Sequence, residues 1–312
     1  MKALVTGVAG FIGSTLADRL VRDGVDVVGI DCFTDYYPRD VKERNLKSLL
    51  ASPRFRLVEA RLQDADLPRL LADRTHVFHL AAQAGVRKSW GRDFAVYTEN
   101  NIAATQTLLE ACVNAPIERL VYASSSSVYG DNVTLPVRED ALPQPVSPYG
   151  VTKLAAEQLC YLYHANYGVP AVSLRYFTVY GPRQRPDMGF HKFLRAVERN
   201  EPITVFGDGE QTRDFTFVAD AVGATIAAGT RGVPGRVYNI GGGSRVSVNQ
   251  VLEIIGRVAG KSPIAAAAPA QKGDVRHTYA DTSLARADLQ FAPKVGLEEG
   301  LAAEHRWLVD TL

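Results

Sequence analysis

The chain has 312 residues, 46% of them hydrophobic and 22% charged, a balance that supports a packed core and excludes a disordered or fibrous chain. Its length fits one large domain or two smaller ones. Lys plus Arg number 35 and Asp plus Glu 34, so a net charge of +1 gives no long-range pull toward nucleic acid or an acidic membrane surface. An anionic ligand must therefore be held by locally placed cations.

In chain order, short apolar runs alternate with helix-period segments. Strands are expected at 3–6, 25–30, 55–58, 77–80, 120–123 and 171–175, and helices at 12–23, 66–73, 97–115 and 150–167. Strands that are apolar throughout and separated by helices indicate a parallel sheet covered on both faces, the doubly wound Rossmann-type α/β architecture. After Phe177 the rhythm breaks. Pro182, Pro186 and Gly189 mark a loop, helices follow at 190–200 and 248–259, and 204–206 and 237–240 read as isolated strands. The alanine-rich 265–270 stretch reads as loop filler. The expected layout is a nucleotide-binding domain over 1–178, rejoined by the chain at about 215–241, with a smaller substrate lobe from 179–214 and 242–312.

Cys32, Cys112 and Cys160 are too few and too scattered for a disulfide framework or a zinc site, and fit reduced thiols in a cytoplasm. The six histidines show no ligand spacing, and His79 reads as a packing residue at a strand end. Gly7, Gly10 and Gly13 interrupt the apolar start and Asp18 and Arg19 end it, so no signal peptide is expected. No apolar run reaches the roughly 18 residues that a membrane span needs.

Between the first strand and the first helix lies TGVAGFIG, residues 6–13. Gly7 permits a tight turn, Gly10 lets backbone approach a pyrophosphate, and Gly13 allows close helix–strand packing at a helix N-terminus with free N–H groups. Asp31 ends the second strand about 20 residues on, where a carboxylate can hold ribose hydroxyls and repel the extra phosphate of NADP. NAD is the expected cofactor. Tyr149 and Lys153 share one helix face after a Ser147-Pro148 start signal. A free tyrosine with a pKa of about 10 is a poor base, and a neighbouring ammonium favours its phenolate. Ser124–Ser127 follow the strand at 120–123, at the carboxyl edge of the sheet where ligands bind in this architecture.

These motifs resemble those of the extended short-chain dehydrogenase/reductases that act on nucleotide sugars. The carriers span nearly the whole chain: TGVAGFIG at 6–13, HLAAQ at 79–83, YTENN at 97–101, SSSSVYG at 124–130, SPYGVTK at 147–153, RYFTVYGP at 175–182, RDF at 213–215 and GDVR at 273–276. The resemblance implies Tyr149 as base, Lys153 as its partner and Ser125 as the hydroxyl beside the sugar oxygen, with Asn101 supporting from behind. It implies NAD contacts from Gly7, Gly10, Phe11, Ile12, Gly13, Asp31, Leu62, Leu80, Ala81, Ala82, Asn101, Tyr149, Lys153 and Tyr176. Arg61 stands where relatives usually carry Asp, and Ala104 where they carry Gly.

Dehydratases of this family carry an Asp-Glu pair after the catalytic hydroxyl, and UDP-glucuronate decarboxylases a Glu at the second position. Ser126 and Ser127 cannot do that proton work at neutral pH. Oxidation and re-reduction at carbon 4 remain, which is epimerisation. The segment RYFTVYGPRQRPDM, 175–188, resembles UDP-glucuronate 4-epimerases; UDP-glucose 4-epimerases typically carry Asn at the place of Thr178. The expected reaction is UDP-glucuronate to UDP-galacturonate, with a UDP-glucose epimerase as the alternative and a decarboxylase or dehydratase behind it. A nucleotide sensor that only binds NAD and a net dehydrogenase that releases NADH are rivals from other classes. The substrate set is Ser125, Ser126, Ser127, Tyr149, Thr178 and Arg185 at the sugar, Val205 and Phe206 at the uridine, and Arg213 and Arg276 at the pyrophosphate, with Asp274 supporting Arg276. The helices at 97–115 and 150–167 carry apolar residues on more than one face. In relatives such a pair builds a four-helix dimer interface, so a homodimer is expected.

Overall fold

A computed structural model describes residues 1–312 without a break. The first half runs β1 (Lys2–Thr6), α1 (Phe11–Arg22), β2 (Asp26–Asp31), α2 (Arg39–Leu50), β3 (Phe55–Glu59), α3 (Leu67–Leu71) and β4 (His76–His79). A continuous helical run follows: α4 (Phe94–Tyr97), a π-helical segment (Thr98–Ala103) and α5 (Ala104–Cys112). Then come β5 (Arg119–Ser125), α6 (Pro148–Tyr167) and β6 (Ala171–Tyr176). The rest consists of β7 (Val179–Tyr180), α7 (Gly189–Arg199), β8 (Ile203–Phe206), β9 (Thr212–Asp214), β10 (Thr216–Phe217), α8 (Val218–Arg231), β11 (Val237–Ile240), β12 (Arg245–Ser247), α9 (Val248–Ala259), β13 (Ala265–Ala268), α10 (Ser283–Leu289) and α11 (Leu297–Val309).

The central sheet has seven strands, all parallel, in the order β11-β6-β5-β4-β1-β2-β3. Strand β1 lies inside it and is apolar on both faces: Ala3 and Val5 pack with α1 and α8, while Leu4 packs with α3, α5 and α6. The order reverses direction between β1 and β4, so the carboxyl ends of those two strands open a crevice where a ligand can sit. A separate apolar cluster joins α7, α9 and α11, with Phe190, Leu194, Val251, Ile255 and Leu301 buried between them.

Three expectations are corrected. The 204–206 strand is not isolated but paired. The 237–240 strand is not isolated: Val237 to Ile240 pair with Ser173 to Tyr176 and form the edge of the main sheet. The 265–270 stretch is not loop filler, because Ala265–Ala268 pairs in parallel with Ile203–Phe206. Alanine has low strand propensity, and only a partner about 60 positions away in sequence makes the pairing. No helix is long and apolar enough to cross a membrane.

Candidate active site

The glycine turn leaves β1 at Gly7, whose φ of +68° suits glycine. A Cβ on Gly13 would fall on the Gly7 carbonyl, which is why α1 can start this close to the turn. Asp31, at the end of β2, accepts the Ala9 amide at 3.0 Å through Oδ2 and the Phe33 amide at 2.9 Å through Oδ1. Burial raises its pKa, and those amides pull the other way. One carboxylate thus ties the turn to the second strand, and each oxygen keeps a lone pair for a ligand hydroxyl. Gly7, Gly10, Phe11, Ile12, Gly13, Asp31, Leu62, Leu80, Ala81 and Ala82 all line one cavity of about 430 Å³, a size within the range of small-molecule sites.

The same cavity continues to Ser125, Ser126, Ser127, Tyr149, Lys153, Tyr176, Thr178 and Arg185. Ser147 caps α6 by accepting the Gly150 amide at 3.1 Å, and Pro148 takes the first helical position, where its missing N–H costs nothing. This start places Tyr149 and Lys153 one turn apart on the cavity wall. Burial raises the Tyr149 pKa, while the Ser125 hydroxyl and the Arg185 charge draw it down. Lys153 is 3% exposed, and burial lowers its pKa to about 7. Its Nζ sits 4.5 Å from the centre of the Tyr122 ring. Ser125 ends β5, and its Oγ accepts the Ser127 amide at 3.1 Å, turning the serine run back over the cavity.

Asn101 does not line the cavity. Buried in the π-helical segment, it clamps the site from outside: Oδ1 accepts the Gln83 amide at 2.7 Å, while Nδ2 donates to Gln83 O at 3.1 Å and Thr152 Oγ1 at 2.9 Å. Thr152 lies between the two catalytic candidates, so this amide couples the loop after β4 to α6. His79 sits behind it, fully buried with its pKa lowered to about 3. The Thr6 hydroxyl accepts the Leu80 and Ala81 amides, which leaves its proton for His79 Nδ1 at 2.7 Å. Nε2 then donates to Thr105 Oγ1 at 2.9 Å. His79 is a neutral bridge between β1 and α5.

The residues expected at the uridine and pyrophosphate lie outside the lining of this cavity. Val205 packs its side chain into the core of the small lobe, leaving only β8 backbone for a ligand. The Phe206 ring is covered by the Arg87 guanidinium, 4.1 Å from its centre. Arg213 Nη1 donates to the carbonyls of Thr212 at 2.9 Å and Arg276 at 3.1 Å. Arg276 is exposed and pairs with Asp208 at 2.7 Å. Asp274 does not support Arg276; it pairs with Arg87 at 2.7 Å. Arg185 and Arg276 each pair with a carboxylate of their own, Asp187 and Asp208. Arg61, at the far end of the cavity, pairs with Glu99 at 2.5 Å.

Tyr36, Tyr37, Lys42, Gln83 and Met188 line the cavity without having been singled out in the sequence. Lys42 could have been suspected only with its helix placed, since it reaches back to Thr34 O at 2.6 Å. Tyr36 and Asp187, 151 positions apart, meet through a 3.2 Å hydrogen bond that no local spacing announces.

The sequence pattern of the NAD dependent epimerase/dehydratase family matches residues 3–241. A UDP-glucose epimerase of Bacillus subtilis strain 168, YtcB, itself uncharacterised, is 45% identical over 310 residues, 99% of this chain and 98% of that protein. The UDP-glucuronate 4-epimerase of Thermodesulfobacterium geofontis is 38% identical, over 97% of this chain and 95% of its own. The crystal structure of the UDP-glucuronic acid 4-epimerase of Bacillus cereus, in complex with UDP-glucuronic acid and NAD, superposes with a TM-score of 0.97 at 45% identity, covering 100% of both chains. The glycine turn, the Tyr149/Lys153 pair and the serine edge thus stand in a chain that belongs to the NAD-dependent epimerase/dehydratase family.

Proposed function

We propose that this protein is an NAD-dependent UDP-sugar 4-epimerase that interconverts UDP-glucuronate and UDP-galacturonate. The observation that carries the reading is the sugar end of the cavity: Ser126, Ser127 and Thr178 present hydroxyls beside Tyr149, with the Arg185 guanidinium close by and no acidic side chain at 126 or 127. A glutamate there would repel a sugar acid and could move ring protons; serines do neither at neutral pH. The Bacillus cereus relative, crystallised with UDP-glucuronic acid and NAD, supports the same substrate and cofactor for this chain.

The residues fit NAD: the glycine turn closes against backbone that a Cβ would strike, and Asp31 stands at the end of β2. Bound NAD supplies the acceptor for the carbon-4 hydride and returns that hydride to the opposite face. Tyr149 takes the carbon-4 hydroxyl proton and later gives it back. Lys153 beside it favours the phenolate when protonated. Ser125 holds the sugar oxygen, and Asn101 keeps α6 in register with the loop after β4. Arg213 and Arg276 take the UDP pyrophosphate, with Phe206 and the β8 backbone at the uridine. That role requires Arg276 to leave Asp208 and Arg87 to leave the Phe206 ring.

The nucleotide-binding unit comprises 1–178 and about 215–241, and the sugar-nucleotide lobe 179–214 and 242–312. The strands of the main sheet and the separate apolar cluster of α7, α9 and α11 support that division. A homodimer is supported by α6, which leaves Val151, Tyr161, Leu162 and Tyr167 between 45% and 60% exposed. Three unpaired cysteines suit the reducing cytoplasm.

The test is incubation with UDP-glucuronate and with UDP-glucose, separately and without added NAD, with products identified by NMR. UDP-galacturonate from the first is expected. Conversion of UDP-glucose alone would overturn the substrate assignment, and a strict need for added NAD would favour a net dehydrogenase.

A further inference from the structure

The loop after β7 carries two charged side chains that face each other at the sugar end of the cavity. Arg185 donates to Asp187 through two parallel bonds, Nε to Oδ1 at 2.9 Å and Nη2 to Oδ2 at 3.0 Å. The Tyr36 hydroxyl donates to the same Oδ2 at 3.2 Å, and the Tyr36 ring centre lies 5.8 Å from the guanidinium carbon. Both charges are largely out of water, with 19% of the Arg185 side chain and 28% of the Asp187 side chain exposed. Burial pushes the Asp187 carboxyl up, yet Arg185 and Tyr36 outweigh it and hold the group below its ordinary range, so it stays ionised. Arg185 Nη1 makes no hydrogen bond within the chain, while the residue lines the cavity.

This arrangement matters for a substrate that carries an acid. A desolvated guanidinium with no counter-ion would take a sugar carboxylate in a two-pronged, charge-assisted pair, which is among the strongest polar contacts a protein makes. Epimerisation needs the opposite. After oxidation at carbon 4, the keto sugar must present its other face, and its carboxylate must leave the seat it first held. Binding that is strongest in one ground-state pose lowers KM and slows turnover. Asp187 already takes Nε–H and one Nη2–H, so that edge of the guanidinium is closed to the acid and its charge is already shared, while Nη1 and the second Nη2–H stay free.

Resting on the uronate reading above, we infer that Asp187 is a positioning residue that limits the grip of Arg185 on the substrate carboxylate and so lets the keto sugar turn within the cavity. Asp187 does not touch the reacting atoms. It fixes the plane of the guanidinium, shares its charge, and leaves only the outer Nη1/Nη2 edge to guide the acid.

The test is Asp187→Asn in the full-length enzyme, with Asp187→Glu as the conservative partner. With UDP-glucuronate, the Asn variant is expected to lower KM about fivefold and kcat about tenfold, because a guanidinium without its counter-charge overbinds one pose. Stalled turnover should also raise the steady-state near-ultraviolet absorbance of reduced nicotinamide. The Glu variant keeps a carboxylate and should restore kcat to within about threefold of wild type. Should the Asn variant fail to fold, Asp187→Ser reads out the same split. An unchanged kcat, a raised KM, or an equal effect on UDP-glucose turnover would overturn the role of Asp187 while leaving the substrate assignment standing. Wild-type enzyme inert toward UDP-glucuronate would overturn both.

Discussion

Tyr149 and Ser127 line one cavity, and the proposed reaction gives them separate work. Tyr149 is the only phenol of α6 that lines the cavity, and its raised pKa reflects loss of water around it; as the proposed base it would have to be charged to act. Tyr149→Phe keeps the ring and removes the proton acceptor. Turnover should fall about a thousandfold, with UDP-glucuronate affinity by calorimetry staying within about twofold because the truncated group acts in the transition state. Comparable losses in both would mean that Tyr149 serves binding. A different task is proposed for the hydroxyls of Ser127 and Thr178, which line the same cavity: the 4-keto uronate of the proposed reaction is a β-keto acid prone to lose carbon dioxide, and they would restrain its carboxylate. Replacing them together, Ser127→Ala with Thr178→Val, should raise the share of decarboxylated pentose product in NMR time courses. An unchanged product ratio would show that neither hydroxyl restrains the carboxylate.

Helix α11 reaches the sugar loop through one buried acid. Glu304 is fully buried; its Oε2 accepts the Gly181 amide at 2.8 Å, and its Oε1 has no partner. Burial pushes its pKa up to about 8, with the Gly181 amide opposing, against an ordinary value of 4.5. The folded protein therefore holds a proton here that the unfolded chain releases between pH 4.5 and about 8. Stability from this group is complete below the lower value and is lost as pH rises through the upper one. Glu304→Gln keeps the acceptor and does not titrate. In chemical denaturation the Gln variant should match wild type at acid pH and exceed it by about 2 kcal/mol well above pH 8. Parallel stability curves across that range would refute a buried neutral acid. The helix had no place in the sequence reading, although its acid meets a loop that did.

At the scale of the whole molecule, the exposed apolar stripe on α6 is the surface that a second copy would cover. Tyr161 is 57% and Leu162 49% exposed, and Tyr163 beside them bonds Glu110 on α5, so the two helices already form one rigid face. Tyr161→Glu combined with Leu162→Glu should halve the mass seen by sedimentation equilibrium while leaving the far-ultraviolet spectrum intact, since charges at a desolvated interface are costly. A wild-type protein that sediments as a monomer would remove the homodimer from the proposal.

The local features were written in the sequence. The glycine turn, the Ser147-Pro148 start of α6, the four-residue step from Tyr149 to Lys153 and the apolar strands of the main sheet each depend on neighbours within a few positions, and turn chemistry and periodicity carry that information. Helix α2 escaped because its polar sequence shows little apolar period, and α8 because alanine and glycine blur the face it buries. The strand Ala265–Ala268 escaped because its only reason to extend is β8. What the tertiary structure alone decided is pairing at a distance: Asp187 with Tyr36, Asn101 with Thr152, Arg87 over Phe206, and Arg276 with Asp208 rather than Asp274. Sequence patterns report which residues can serve a site. Which charge neutralises which is settled only when the packed sheet and its loops bring distant carboxylates and guanidinium groups out of water together.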